Sequence, residues 1–413
     1  MLIQRVLLAA LTSAALSAVC VTAHANAFYK IEDGRYLAQA GDCAACHTAD
    51  GGKPFAGGRA VPTPFGVIYS TNITPDKDTG IGSWSDEDFY KAMHSGIGPD
   101  GRHYYPAFPY PWFTKATRAD VLAIKAFLDT LEPVRQENRP TELPWPLSWR
   151  GGMPVWNALF FKERTYESNP QQSADWNRGA YLVDGLSHCG ACHTPKNMLG
   201  GVERDHRYSG GFGEHWFAPN LTGNRRDGLG QWSAGEIEQY LKTGANGKIA
   251  AAGPMGEVVY HSTQHLDDAD LKAIATYLKS FAPAHADDQP RNTDKDVMAR
   301  GEAVYVDQCA GCHMTNGEGI ATVFPSLKGT SAIQAKEAAT LLHVVLGGAQ
   351  KVATAAHPTP FAMPAFDGKL SDQDIADVLT YIRNAWGNSA PPVSAHEVAD
   401  TRNQLRSARA AAR

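Results

Sequence analysis

Six cysteines stand in three pairs, each pair separated by two residues and followed directly by histidine. They are Cys43-Ala44-Ala45-Cys46-His47, Cys189-Gly190-Ala191-Cys192-His193 and Cys309-Ala310-Gly311-Cys312-His313. Two thiols three positions apart on one helical turn can add across the two vinyl groups of a haem, and the next histidine then reaches the iron. A redox dithiol, a zinc site or structural disulfides would use the same residue types. A zinc site usually brings its two cysteine pairs close together in sequence, whereas more than a hundred residues separate these, and no cysteine beyond Cys20 is left over. The pattern implies three covalently bound haem c groups. Cys43, Cys46, Cys189, Cys192, Cys309 and Cys312 attach them, and His47, His193 and His313 are the proximal iron ligands.

The sixth iron ligand separates an electron carrier from a catalyst, because a closed coordination sphere passes electrons while an open one binds a substrate. Met255, in Gly253-Pro254-Met255, follows its histidine by 62 residues, and Met363, in Met363-Pro364-Ala365-Phe366, follows His313 by 50. Each lies just before an amphipathic segment that closes its unit, which makes both candidate ligands; a methionine in the core is the plainer alternative. The first unit departs from this. Counting 61 residues on from His47 reaches Phe108, inside Tyr105-Pro106-Ala107-Phe108-Pro109, and phenylalanine cannot ligate iron. Met93, His94, His103 and Met153 remain. Met153 is the leading candidate because Pro154 follows it as Pro364 follows Met363, with an open or histidine-ligated haem as the alternative.

Positioning these residues falls to a repeated helical unit. A Gly-led amphipathic segment precedes each motif, at Gly34 to Ala40, Gly179 to Leu186 and Gly301 to Val306. Closing helices are expected over Arg118 to Leu131, Asp267 to Phe281 and Ser371 to Trp386. Asn72-Ile73-Thr74 leads to Trp84-Ser85 across the same 12-residue offset that separates Asn220-Leu221-Thr222 from Trp232-Ser233, so the first two units are duplicates. The third shares the haem motif and the ending, but not this middle.

Residues 1–27 place one cation, an apolar run and a small-residue stretch ahead of Phe28, the order of a secretory signal peptide. Ser17-Ala18-Val19 lacks the pattern expected before a lipid-modified cysteine at Cys20. With 43 acidic against 38 basic side chains the chain is no partner for nucleic acid. Its length suits about three domains. The expected division is a leader (1–27), domain one (28–140), an aromatic linker (141–172), domain two (173–285), domain three (286–390) and a polar tail (391–413). The linker's Trp145, Trp149, Trp156, Phe160 and Phe161 suggest an interface or a haem cover, as against ordinary packing between domains. The tail, with Arg402, Arg406, Arg409 and Arg413, reads as an exposed, frayed helix rather than a lipid-binding one.

Beyond the three motifs, Asn72-Ile73-Thr74-Pro75-Asp76 with Thr79-Gly80-Ile81-Gly82, Tyr105-Pro106-Ala107, Pro219-Asn220-Leu221-Thr222 and Gly253-Pro254-Met255 resemble the three-haem cytochrome c subunits of bacterial membrane-bound dehydrogenases. Those subunits serve alcohol, gluconate, sorbitol, fructose or aldehyde oxidation. The resemblance runs from about Tyr36 to Asn388. It implies an all-α protein of three consecutive small class I-like cytochrome c domains, with no catalysis of its own. It also implies a periplasmic position, peripheral on the inner membrane. Electrons would arrive from a dehydrogenase catalytic subunit and leave to ubiquinone or another respiratory acceptor. The departure at Phe108 keeps a second class open: a haem enzyme, a peroxidase or sulfur-compound oxidase, that uses an open first haem.

Overall fold

Each opening segment does form a helix, and each meets its closing helix at the glycine that leads it. A computed structural model describes residues 28–285, 293–321, 323–350, 352–359 and 361–411; the expected leader lies outside the described residues. The opening helices cover 28–40, Ala174–Tyr181 and Lys295–Gln308, and the closing ones Arg118–Leu128, Asp268–Lys279 and Asp372–Ile382. A Cβ on Gly34 would lie 1.9 Å from Ala123 O, one on Gly179 2.0 Å from Ala273 O, and one on Gly301 2.2 Å from Asp377 O. Only glycine permits such backbone contact between crossing helices. Asp267 and Ser371, expected as first residues of their helices, cap them instead: each side-chain oxygen accepts a backbone N–H of the first turn.

Between these helices each unit places a short attachment turn, Cys43–His47, Gly190–His193 and Ala310–His313, and a middle helix, Asp86–Ser95, Ala234–Thr243 and Ala339–Gly347. The first two units repeat the same backbone hydrogen bonds around their Asn motifs. Thr74 N donates to Asn72 Oδ1 and Thr222 N to Asn220 Oδ1; Ile81 N donates to Thr74 O and Leu229 N to Thr222 O. Three two-stranded antiparallel ribbons, unforeseen in the sequence, decorate the helices: Ala60–Thr63 with Gly66–Tyr69, Gly211–Gly213 with Trp216–Ala218, and Ala349–Gln350 with Ala362–Met363. They are too short to alter the all-α class.

The first two units share one hydrophobic core and the third has its own. Tyr36 Oη of the first opening helix donates to Asp270 Oδ2 of the second closing helix at 2.7 Å, Tyr181 Oη bonds Asp120, and Lys115 pairs with Asp184 across the same boundary. The linker adds a helix at Met153–Phe160 that folds back on the first unit: Tyr110 Oη donates to Asn157 Oδ1 and Arg150 to His103 O. Trp145 and Trp149 stay exposed.

The tail departs from the expected frayed helix. Residues Ala395–Ala411 pack on the third unit, with Val398 fully buried. Arg402 is 8% exposed and binds Asp367, Asp372 and Leu370 O. The alternation of one apolar and one cationic contact is too sparse to read as a packed face from sequence. Among the described residues no helix is long and apolar enough to cross a membrane.

Candidate haem sites

Among the described residues the six cysteines of the motifs form no disulfide. Burial pushes Cys43, Cys46 and Cys189 up to about 12 and Cys309 to about 11. A redox-active dithiol needs the opposite shift, toward the thiolate, so the alternative dithiol use of these pairs is disfavoured.

The histidines share one geometry. Nδ1 of His47 lies 2.6 Å from Thr71 O, that of His193 2.7 Å from Pro219 O, and that of His313 3.0 Å from Pro325 O. A carbonyl oxygen only accepts, so each Nδ1 carries the proton and donates it, which leaves the Nε2 lone pair free. Burial lowers all three below the ordinary histidine range and keeps the rings neutral. Neutral imidazole with its far nitrogen oriented by a carbonyl is the form that ligates iron. These residues fit a haem.

The acceptor carbonyls are themselves fixed. Two residues beyond each, a backbone N–H is tied down: Ile73 to Phe55 O, Leu221 to Tyr208 O and Leu327 to Gly317 O, at 2.8–2.9 Å. Each histidine's own carbonyl accepts from a glycine N–H, at Gly57, Gly210 and Gly319. All three glycines have positive φ, at 76°, 96° and 64°. Their signal in the sequence is weak because they follow their histidines at unequal distances, 10, 17 and 6 residues. The Asn72 and Asn220 motifs are visible there, but not their role, which is to carry the carbonyl that precedes them.

Met255 stands in the first turn of the helix Pro254–His261, and Met363 in the strand that pairs with Ala349. The register places Phe108 firmly. Gly96 and Gly244 end the two middle helices with φ of 69° and 76°; Tyr104 N donates to Gly96 O and Ala251 N to Gly244 O. Four residues past each donor stand Phe108 and Met255. Phe108 packs among Tyr104 and Phe113, with both ring centroids 5.7 Å away. Of the remaining candidates, Met93 lies in the core and His94 stacks on Tyr90. His103 bridges to Ile97 as Met363 does to Ala349. The buried Met153 begins the linker helix, whose Asn157 sits 3.3 Å from His103 Nδ1. The structure thus brings His103 against the helix that Met153 begins.

Against known proteins, the sequence profile described as cytochrome c matches residues 31–132, 177–282 and 298–386. The chain belongs to the cytochrome c family. It is 42% identical over 394 residues to the gluconate 2-dehydrogenase cytochrome c subunit of Pantoea cypripedii, covering 90% of this chain and 89% of that one. It is 40% identical over 387 residues to the cytochrome c subunit of the quinone alcohol dehydrogenase of Gluconobacter oxydans, covering 89% and 81%. With the fructose dehydrogenase cytochrome subunit of Gluconobacter japonicus it shares 38% identity over 403 residues, 90% of this chain and 82% of that one. Cytochrome c domains bind haem c covalently, and each matched segment holds one of the attachment motifs.

Proposed function

We propose that this cytochrome c is the three-haem electron-transfer subunit of a quinone-linked dehydrogenase. In this reading it is exported to the periplasm and lies peripherally on the inner membrane. It takes electrons from a catalytic subunit that oxidises an alcohol, sugar acid or aldehyde, and passes them to ubiquinone or another respiratory acceptor. The observation that carries the reading is the threefold histidine geometry, a neutral ring with Nδ1 held on a fixed carbonyl beside a pair of cysteines. The relatives, cytochrome c subunits of gluconate and alcohol dehydrogenases, supply the complex.

Haem iron in such a site supplies reversible one-electron transfer. The chain's residues do the rest. Each cysteine pair would hold a haem through two thioethers, His47, His193 and His313 would offer Nε2 to its iron, and Met255 and Met363 would be the further ligands in domains two and three. In domain one that ligand would be Met153, at the start of the linker helix. The apolar shells exclude water and tune each centre by burial and axial ligand. Exposed Trp145 and Trp149 offer contact surface for the catalytic subunit. Mass spectrometry of the exported chain checks the haem count: three haem additions are expected, and two or fewer in the matured protein would overturn the reading.

Phe108 favours a second reading, in which an open first haem performs substrate chemistry. Carbon monoxide binding by the ferrous parent protein, with turnover of a peroxide or sulfur compound by the isolated chain, would replace the conduit with an enzyme.

A further inference from the structure

Arg59, in the turn that leads into the first ribbon, is drawn out of its own domain. Its guanidinium forms a bidentate pair with Glu214, Nη1 to Oε1 at 2.9 Å and Nη2 to Oε2 at 3.0 Å, and Nη2 also donates to Glu257 Oε2 at 2.7 Å. Both acids belong to domain two, and the Arg59 side chain is only 15% exposed. Such forked pairing fixes direction as well as distance, which a lysine cannot reproduce in full.

What the two acids are attached to gives the contact its meaning. Glu214 follows Gly213, where an added Cβ would lie 2.6 Å from Cys192 Sγ, so this loop runs directly under an attachment thiol of the second site. Glu257 lies two residues after Met255 on the helix Pro254–His261, which packs on the Cys43–His47 turn of the first site. At the seam, Ser262 Oγ donates to Ala40 O, and Leu186 of domain two approaches Gly41. Asp42 is buried, with Oδ1 lacking a hydrogen-bond partner.

We propose that Arg59 is an inter-haem positioning residue. One guanidinium of domain one holds the loop under the second haem's thioether and the helix led by Met255 against the first haem's attachment turn. It also supplies the cation that offsets Glu214 and Glu257 between the two centres. This inference rests on the haem-bearing reading above, and assigns to these residues both the spacing and the potentials of the first two haems. The third haem lies outside it, since neither acid belongs to the third domain.

The test compares Arg59→Gln, Arg59→Lys and Glu257→Gln in the haem-loaded full chain by spectroelectrochemistry, with pulse reduction to time electron exchange. Arg59→Gln removes a cation beside two centres, so two potentials should fall, the third should hold, and exchange between the first pair should slow. Arg59→Lys should restore the potentials and only part of the exchange rate, because the charge returns without the fork. Glu257→Gln removes an anion and should shift the same two potentials upward, an inversion that a purely structural contact would not produce and that stays readable should Arg59→Gln fail to fold. Unchanged potentials in both Arg59→Gln and Glu257→Gln, or equal shifts in all three haems, would overturn the proposal. A parent chain with fewer than three haems would instead overturn the reading on which it rests.

Discussion

Phe108 and Met255 occupy one register position, and on the proposed ligation a thioether there would stabilise ferrous iron where a phenyl ring cannot. Met255→Ala and Met363→Ala should therefore each lower the potential of one haem and open it to carbon monoxide, read by spectroelectrochemistry and by the ferrous Soret shift. A variant that leaves all three potentials in place would return its methionine to the core. Met153 carries the sharper test, since the linker helix it begins packs against the loop of His103. Met153→Ala should create carbon monoxide binding at one haem that the parent lacks. The same change at Met93, a member of the shared core, should cost stability alone. His103→Gln separates the two candidates: carbon monoxide binding there, with Met153→Ala silent, would make the histidine the ligand.

At the scale of elements, the crossing glycines and the two separate cores make a stability prediction with a spatial signature. Gly301→Val should drive a side chain into Asp377 O and destabilise the third domain by about 3 kcal/mol or more. Gly179→Val should do the same to the shared core of domains one and two. Hydrogen exchange would then show protection lost over 295–382 in the first variant and over both 28–128 and 174–279 in the second. Protection lost from domain two alone would mean that the shared core is not one cooperative unit.

The packed tail gives a pH dependence. Burial alone would raise the Asp367 carboxyl, but Arg402 and Arg406 hold it below the usual carboxylate range. A carboxyl lowered in the folded state stabilises docking above its unfolded pKa and loses that contribution as pH falls through the folded value. The tail helix should thus gain hydrogen exchange on acidification to about pH 3, below the usual aspartate pKa of about 3.9, and Arg402→Ala should loosen it already at neutral pH. Exchange that is flat with pH in both proteins would remove the ion pairs as the cause.

These elements were unevenly legible. Glycines, caps and apolar spacing marked the opening and closing helices because their signals are local in the chain. The docking of Arg402 and the fusion of the first two cores depend on partners distant in sequence, and the strands Ala349–Gln350 and Ala362–Met363 are too short to show a period. The attachment cysteines and histidines were legible because their chemistry fixes their spacing. The carbonyls of Thr71, Pro219 and Pro325 were not, because a backbone acceptor leaves no residue type to recognise.

Across the whole molecule, the first two domains are bound by a common core and by the Arg59 fork. The third joins the second through a smaller set of contacts: Thr340 exchanges two hydrogen bonds with the Phe217 backbone, and the Trp216 ring stacks on His343 with centroids 4.7 Å apart. Three centres arranged as a joined pair and a more separable third suit stepwise passage of electrons, with entry and exit at different domains. On the proposed function, such a chain is needed for electrons to reach the quinone but not for substrate oxidation itself. Deleting its gene should abolish quinone-linked oxidation of one alcohol, sugar acid or aldehyde, while the catalytic subunit keeps its activity with an artificial acceptor. Restoring the parent gene should recover the lost activity, and a chain carrying His193→Ala, which removes one iron ligand from the middle of the series, should not. Loss of both activities on deletion would make the chain a scaffold on which the catalytic subunit depends, loss of neither would break the link to a dehydrogenase, and full rescue by the His193 variant would show that electrons bypass the second haem.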